Sequence, residues 1–342
     1  LPQIAQGMRV FLSCLLFILT LAISTEMLSP QGQDLELLYA ATGGGTTWIV
    51  PWDFAGTPDV CLLHGVCCTV TGFLSPNCMN SNEALFDNSN CCNSSGIIVA
   101  IALRQNGLTG QLPPLQNLPK LALLDVRLNS LKGTIPATLF LDFPNLVAVY
   151  FSYNAQMGGS LPLAPLAPME TLRQFHAGSM QLEGEIPSYF NPVVTPNLVT
   201  LELRSNAMSG TIPEILFTIE SFQELGISFN NFEGTIPTNC TYHYLRTLKA
   251  SNNKLSGTIP LALTQAPRLE FISLANNSLT GPIGKWYSAA LQYIAADGNE
   301  LNGFFDASST QLEYVELSYN QLTGFAKGLS FSSLHYIDIR GN

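Results

Sequence analysis

The stretch Leu198–Pro213 reads LVTLELRSNAMSGTIP, and its register decides the architecture. Leu198, Leu201, Leu203 and Met208 are apolar around Asn206, and Gly210, Ile212 and Pro213 follow. Leu201 and Leu203 alternate with Glu202 and Arg204, the period-two pattern of a short strand with one face buried and one in solvent. Outward in both directions the frame recurs. Its asparagine slot falls at Asn106, Asn129, Asn154, Met180, Asn206, Asn230, Asn253, Asn277, Asn299, Asn320 and Asn342, at spacings of 21 to 26 residues. A sustained period of this length marks a stacked repeat array, in which each unit buries its apolar face only against its neighbours. The chain must turn after each strand, hiding backbone groups from water, and an amide side chain offers both a donor and an acceptor to satisfy them. Met180 offers neither, so the fourth coil is expected to be locally irregular. The proline-rich run 161–169 and the inserted residues 191–196 point the same way.

A G-x-I-P element follows each turn: Gly110, Gly133, Gly184, Gly210, Gly234 and Gly257 permit unusual torsions or close approach, and Pro113, Pro136, Pro187, Pro213, Pro237 and Pro260 stiffen the convex return. With the frame L-x-x-L-x-L-x-x-N-x-L-x-G-x-I-P, residues 98–342 resemble the plant-type leucine-rich repeats of receptor-kinase ectodomains and polygalacturonase-inhibiting proteins. The resemblance implies an α/β fold: a right-handed solenoid with a parallel concave sheet, an irregular or 3-10 convex side and a disulfide-bonded N-terminal cap. About eleven repeats are expected, the last truncated. After Gly281 the I-P pair gives way to Pro282-Ile283, Phe304-Phe305 and Phe325, and the run stops at Asn342 without a capping segment, so a fragment is expected.

Residues 25–97 are expected to form the cap. A short helix is expected over Asp34–Thr42, with Leu35, Leu37, Leu38 and Ala41 on its apolar side and Gly43-Gly44-Gly45 ending it. The string from Leu37 to Gly44, then Trp48, Trp52 and Gly56-x-Pro58, resembles the leader cap of secreted leucine-rich-repeat proteins of plants, protists and some bacteria. Its usual C-x-W-x-G-V-x-C ending is here Cys61 to Cys68, with Leu63 in place of tryptophan and an extra cysteine at Cys67. The resemblance implies a Cys61–Cys68 bridge; the pairing of Cys67, Cys78, Cys91 and Cys92 stays open.

Composition bounds the setting. Hydrophobic residues make up 46% of the 342 and charged ones 11%, enough apolar surface for a continuous core. A formal charge of −10 without a basic stripe argues against nucleic acid, whose binding needs clustered lysine and arginine. Residues 1–24 read as upstream residues and a signal peptide: Met8 and Arg9 precede an apolar run from Val10 to Ile23, and Ala22-Ile23-Ser24 supplies the small residues of a cleavage site. The run is too short for a membrane span, which needs about 20 apolar residues. Six cysteines between Cys61 and Cys92 fit disulfides in an oxidising compartment. Zinc is the alternative, but no His-x3-5-His partner accompanies them. Cys240 reads as a buried convex thiol or, alternatively, an intermolecular link. Asn93, Asn239 and Asn276 begin glycosylation sequons.

Exposed strand positions form columns across the concave face. The column preceding the second apolar slot ends Phe271, Tyr293, Tyr314, Tyr336, and strands about 4.8 Å apart let such rings lean together. These rings, with Asp297, Glu316, Asp338 and Arg340, are the candidate ligand strip; the alternative is that they only stabilise neighbouring strands. Arg104, Arg127 and Arg204, with Asp125, Tyr150, His176 and Glu202, read as a solvated face of mixed charge. A partial threonine row (Thr134, Thr211, Thr235, Thr258) suits a flat crystal surface, but Gln111, Ser160, Glu185 and Pro282 interrupt it. No nucleophile–base pair, carboxylate pair or metal-ligand motif converges, so neither an enzyme nor a cofactor or metal protein is expected. The expectation is an extracellular recognition module, receptor-borne or secreted, for a protein, peptide or glycan. The alternatives are a structural surface or matrix glycoprotein and an inhibitor of cell-wall hydrolases.

Overall fold

The computed structural model describes residues 30–49, 66–69, 97–326 and 332–342. Among them, a twelve-stranded sheet runs the length of the array. Val66–Thr69 pairs antiparallel with Ile97–Ala102, and every later pairing is parallel, from Leu123–Asp125 through Thr200–Glu202 to Tyr336–Asp338. The strands are three residues long from Leu123 on, the middle one turned into the core, save for the exposed Ile337 of the last strand, and the flanking two onto the concave face. Register carries through without slip: Thr200 pairs with Glu224, Glu224 with Thr247, Thr247 with Phe271. A single hydrophobic cluster runs from Leu35 to Leu317, in keeping with a core shared by all the coils.

The asparagine slots behave as their chemistry requires. Asn253 Nδ2 donates to Ile227 O at 3.0 Å in the preceding coil and to Ala250 O at 3.1 Å in its own, while its Oδ1 accepts from Phe232 N at 3.0 Å. Asn129, Asn154, Asn206, Asn230, Asn277, Asn299, Asn320 and Asn342 repeat the arrangement. The irregularity expected at Met180 does not occur at the turn. Met180 is buried, Ser179 keeps the positive φ of 55° found beside other slots, and Met157 N, which lacks the amide acceptor, donates to Asn154 O at 2.9 Å. Irregular backbone lies instead on the convex return at 160–169 and 191–196, where Leu163, Leu166 and Val193 are exposed.

A second set of strands was not expected. Just after each turn, Lys132–Thr134, Gln156–Gly159, Gln181–Gly184 and Ala207–Met208 form one flanking parallel sheet, and Glu233–Thr235, Lys254–Thr258, Ser278–Pro282 and Glu300–Ala307 lie in another. The repeat glycines explain the tight fit: Gly257 holds φ +75°, and a Cβ there would lie 2.9 Å from the Thr235 methyl. The threonine row is exposed on this flank, and its methyls cover the glycines of following coils. The convex side carries single turns of helix at Leu139–Asp142 and Leu261–Thr264 and a 3-10 turn at Glu214–Thr218.

At the front, the helix spans Pro30–Ala41, starting four residues before the expected Asp34. Leu35 and Leu38 are buried; Leu37, expected on the same side, is exposed. Asp34 accepts Asn117 N at 2.6 Å and Nδ2 at 3.0 Å, and Gln31 accepts Ile98 N at 3.1 Å, tying the helix to the first coils. Trp48 is buried edge-on against Tyr39 and donates to Thr42 O at 2.9 Å. Trp52, Asn93, Cys61 with its expected bridge to Cys68, and residues 1–24 lie outside the residues whose side chains are described. Cys240 is a buried free thiol on the convex return, and Asn239 and Asn276 are exposed.

Candidate functional site

The strand register places Phe271, Tyr293, Tyr314 and Tyr336 side by side, and the rings stack face to face. Centroids are 4.1, 4.5 and 4.5 Å apart, with interplanar angles of 8°, 5° and 11°. The inner ring faces are therefore consumed within the ladder, leaving edges, hydroxyls and the outer faces of the two end rings, Phe271 and Tyr336. The outer face of Phe271 has Lys249 Nζ 5.6 Å from its centroid.

Of the eight strip residues, Phe271, Tyr293, Asp297 and Glu316 line an open trough of about 510 Å³ on the concave side. Tyr314, Tyr336, Asp338 and Arg340 lie beyond it toward the C-terminus. Tyr314 Oη donates to Glu316 Oε2 at 2.8 Å, and burial followed by the Glu316 charge pushes its phenol up. The Asp297 carboxyl is raised by burial first and then by Glu316 and Asp338. Asp338 is spoken for: Arg340 reaches it at 2.7 and 2.9 Å and holds it down to about 2.

The rest of the trough comes from residues without a motif. Its floor is small because Ser228, Ser251, Ser273, Ala275 and Ala295 occupy concave positions filled by long side chains elsewhere. Ser251 and Ser273 hydroxyls bond each other, and Ser251 Oγ also accepts Ala275 N at 3.0 Å. One rim is the aromatic ladder. The other is built by Tyr153 and Phe229, exposed residues next to their turns with φ of 63° and 58°. Arg204 closes the front, its guanidinium against the Tyr153 hydroxyl and 5.6 Å from that ring. Reading the sizes of adjacent columns together, rather than searching for types, is the signal that finds this trough.

The front group is not the solvated face expected from its mixed charge. Asp125 is buried, 3.0 Å from Arg127 Nε, and burial raises its carboxyl in spite of that guanidinium. Arg127 also lies 4.5 Å over the Tyr150 ring, which meets His176 edge-on at 5.0 Å. His176 Nε2 is buried without a hydrogen-bond partner, and burial, then Arg127, Lys249 and Arg204, hold the imidazole down to about 4.

A family profile described as Leucine Rich Repeat matches residues 244–266. Receptor-like protein 32 of Arabidopsis thaliana is 28% identical over 239 residues, 67% of this chain and 27% of that protein. The chain thus spans about a quarter of the length of such curated relatives. Among solved structures, the Arabidopsis receptor kinase HAESA, in complex with the peptide hormone IDA and the co-receptor SERK1, aligns with a TM-score of 0.61 and 25% identity over 85% of this chain and 50% of that one. A plant ice-binding protein aligns with a TM-score of 0.68 at 21% identity, over 90% of this chain and 94% of that one, a likeness of fold alone.

Proposed function

We infer that this plant-type leucine-rich-repeat protein works outside the cell as a recognition module, on a cell surface or secreted, and that its ligand is a peptide or extended protein segment held on the concave face. The observation that carries the reading is the trough, with its floor of serine and alanine between two aromatic rims. The ladder discriminates between ligand classes. A sugar ring binds aromatics by lying on an open face, and along this ladder the inner faces are stacked on each other. An extended peptide needs what remains: ring edges, hydroxyls and charges along a line. The ligand strip of Phe271, Tyr293, Tyr314 and Tyr336, with Asp297, Glu316, Asp338 and Arg340, is then an edge contact. The peptide-bound receptor ectodomain noted above shares the fold and supports this reading. The function is binding without turnover.

The test is capture by the immobilised chain from two synthetic pools, one of peptides and one of plant and algal cell-wall oligosaccharides, read by mass spectrometry. Retained peptides, lost when Ser251→Trp fills the trough, are the expected result. Retention of oligosaccharides alone, or of peptides undiminished by that substitution, overturns it. A matrix role without a ligand predicts retention from neither pool.

A further inference from the structure

The trough is electrically polarised along the solenoid axis. Its lining holds four charged side chains, sorted by position: Arg204 and Lys249 from the fifth and seventh coils, Asp297 and Glu316 from the ninth and tenth. Between them the floor is uncharged. At the front, the Glu202 carboxylate lies over Gly226, accepts Arg204 N at 3.0 Å and stands 3.9 Å from the Arg204 guanidinium. That leaves the Lys249 ammonium without a carboxylate within ion-pair distance among the described residues. At the back, Asp297 and Glu316 repel each other, and the next guanidinium along, Arg340, is taken by Asp338. Two like charges facing a cavity, with no cation between them, are costly unless a cation comes from outside.

We propose that the trough holds an extended peptide segment with an acidic group at the Arg204–Lys249 end and a basic group at the Asp297–Glu316 end, about three or four residues apart. This rests on the peptide reading above and adds charge order and spacing to it. The spacing follows from the fold. Parallel strands lie about 4.8 Å apart, so along the solenoid axis Asp297 lies about 10 Å and Glu316 about 14 Å beyond Lys249. An extended chain covers about 3.3–3.6 Å per residue, which makes those separations three and four residues. The backbone lies across the strands over Ser251 and Ser273, with the ring edges of Phe271 and Tyr293 on one side and Phe229 on the other. Basic peptides would be turned away at Lys249 and acidic ones at Glu316, so selection comes from repulsion as much as attraction.

The probes are capped hexapeptides bearing one glutamate and one arginine at every separation, with Glu/Glu and Arg/Arg counterparts, measured by fluorescence polarisation. The expected result is at least a tenfold preference for the Glu/Arg class, greatest at separations of three and four. Lys249→Glu should invert the preference toward Arg/Arg peptides, and Asp297→Lys with Glu316→Lys toward Glu/Glu peptides. All these positions are partly exposed, so thermal transitions near that of the parent are expected and confirm folding. A parent chain that binds the three classes alike, or a ranking that Lys249→Glu leaves unchanged, overturns the polarity while peptide recognition stands. Failure of the parent to bind any peptide overturns both.

Discussion

At the residue scale the slot asparagine is worth more than its propensity suggests, because one side chain closes two turns. Replacing Asn253 by alanine orphans Phe232 N and leaves Ile227 O and Ala250 O with one side-chain donor each, Asn230 and Asn277. Since leaving a buried group unpaired costs about 1–3 kcal/mol, a loss of that size is expected by denaturant titration. Met180→Asn should change stability by less than about 1 kcal/mol, because Asn154 O already serves Met157 N. The misplaced irregularity has this cause: missing side-chain acceptors are visible in a sequence, and backbone carbonyls that replace them are not. His176 gives a second residue-scale prediction. Its folded-state pKa of about 4 lies below the ordinary 6.5, so the unfolded chain binds the proton more readily between those values. Its contribution is complete above about pH 6.5 and is lost as pH falls toward 4, by at most about 3 kcal/mol. His176→Gln should flatten that part of the stability profile against pH, measured as the difference between the two proteins.

At the scale of elements, the concave strands were legible because one apolar residue between two exposed ones is a local pattern. The flanking sheets were not. Lys132–Thr134 and Glu233–Thr235 are polar residues around a glycine, and only the next coil gives their backbone groups a partner. The aromatic column was legible as a column, but its geometry changes what it does. Each stacked pair is worth about 0.5–1.5 kcal/mol beyond burial, so Tyr293→Ala, which removes two stacks, should cost about 1–3 kcal/mol. Thermal melts of Tyr293→Ala and Gln292→Ala separate the two roles: Gln292 is exposed next to the ladder and should leave the transition in place. On the reading proposed above, one element divides its labour, with the faces stabilising neighbouring strands and the edges left for a ligand.

For the whole molecule, the repeat frame foretold a single stacked core, and the core cluster that spans the coils is that prediction made visible. Leu203, fully buried in the fifth coil, reports on it: Leu203→Ala should lower stability by about 2–5 kcal/mol. Because each coil touches only its neighbours, hydrogen exchange should rise most in the coils flanking position 203 and least at the ends of the array. The trough escaped a motif-based reading because it is made of omissions: Ser228, Ser251, Ser273, Ala275 and Ala295 matter by their lack of bulk. Its far rim carries a further consequence. Tyr153 and Phe229 sit in left-handed backbone, where any side chain but glycine costs about 1–2 kcal/mol. Relaxing those two bends with glycine would make a sturdier protein with a lower wall, so selection for robustness and selection for grip pull on the same atoms in opposite directions.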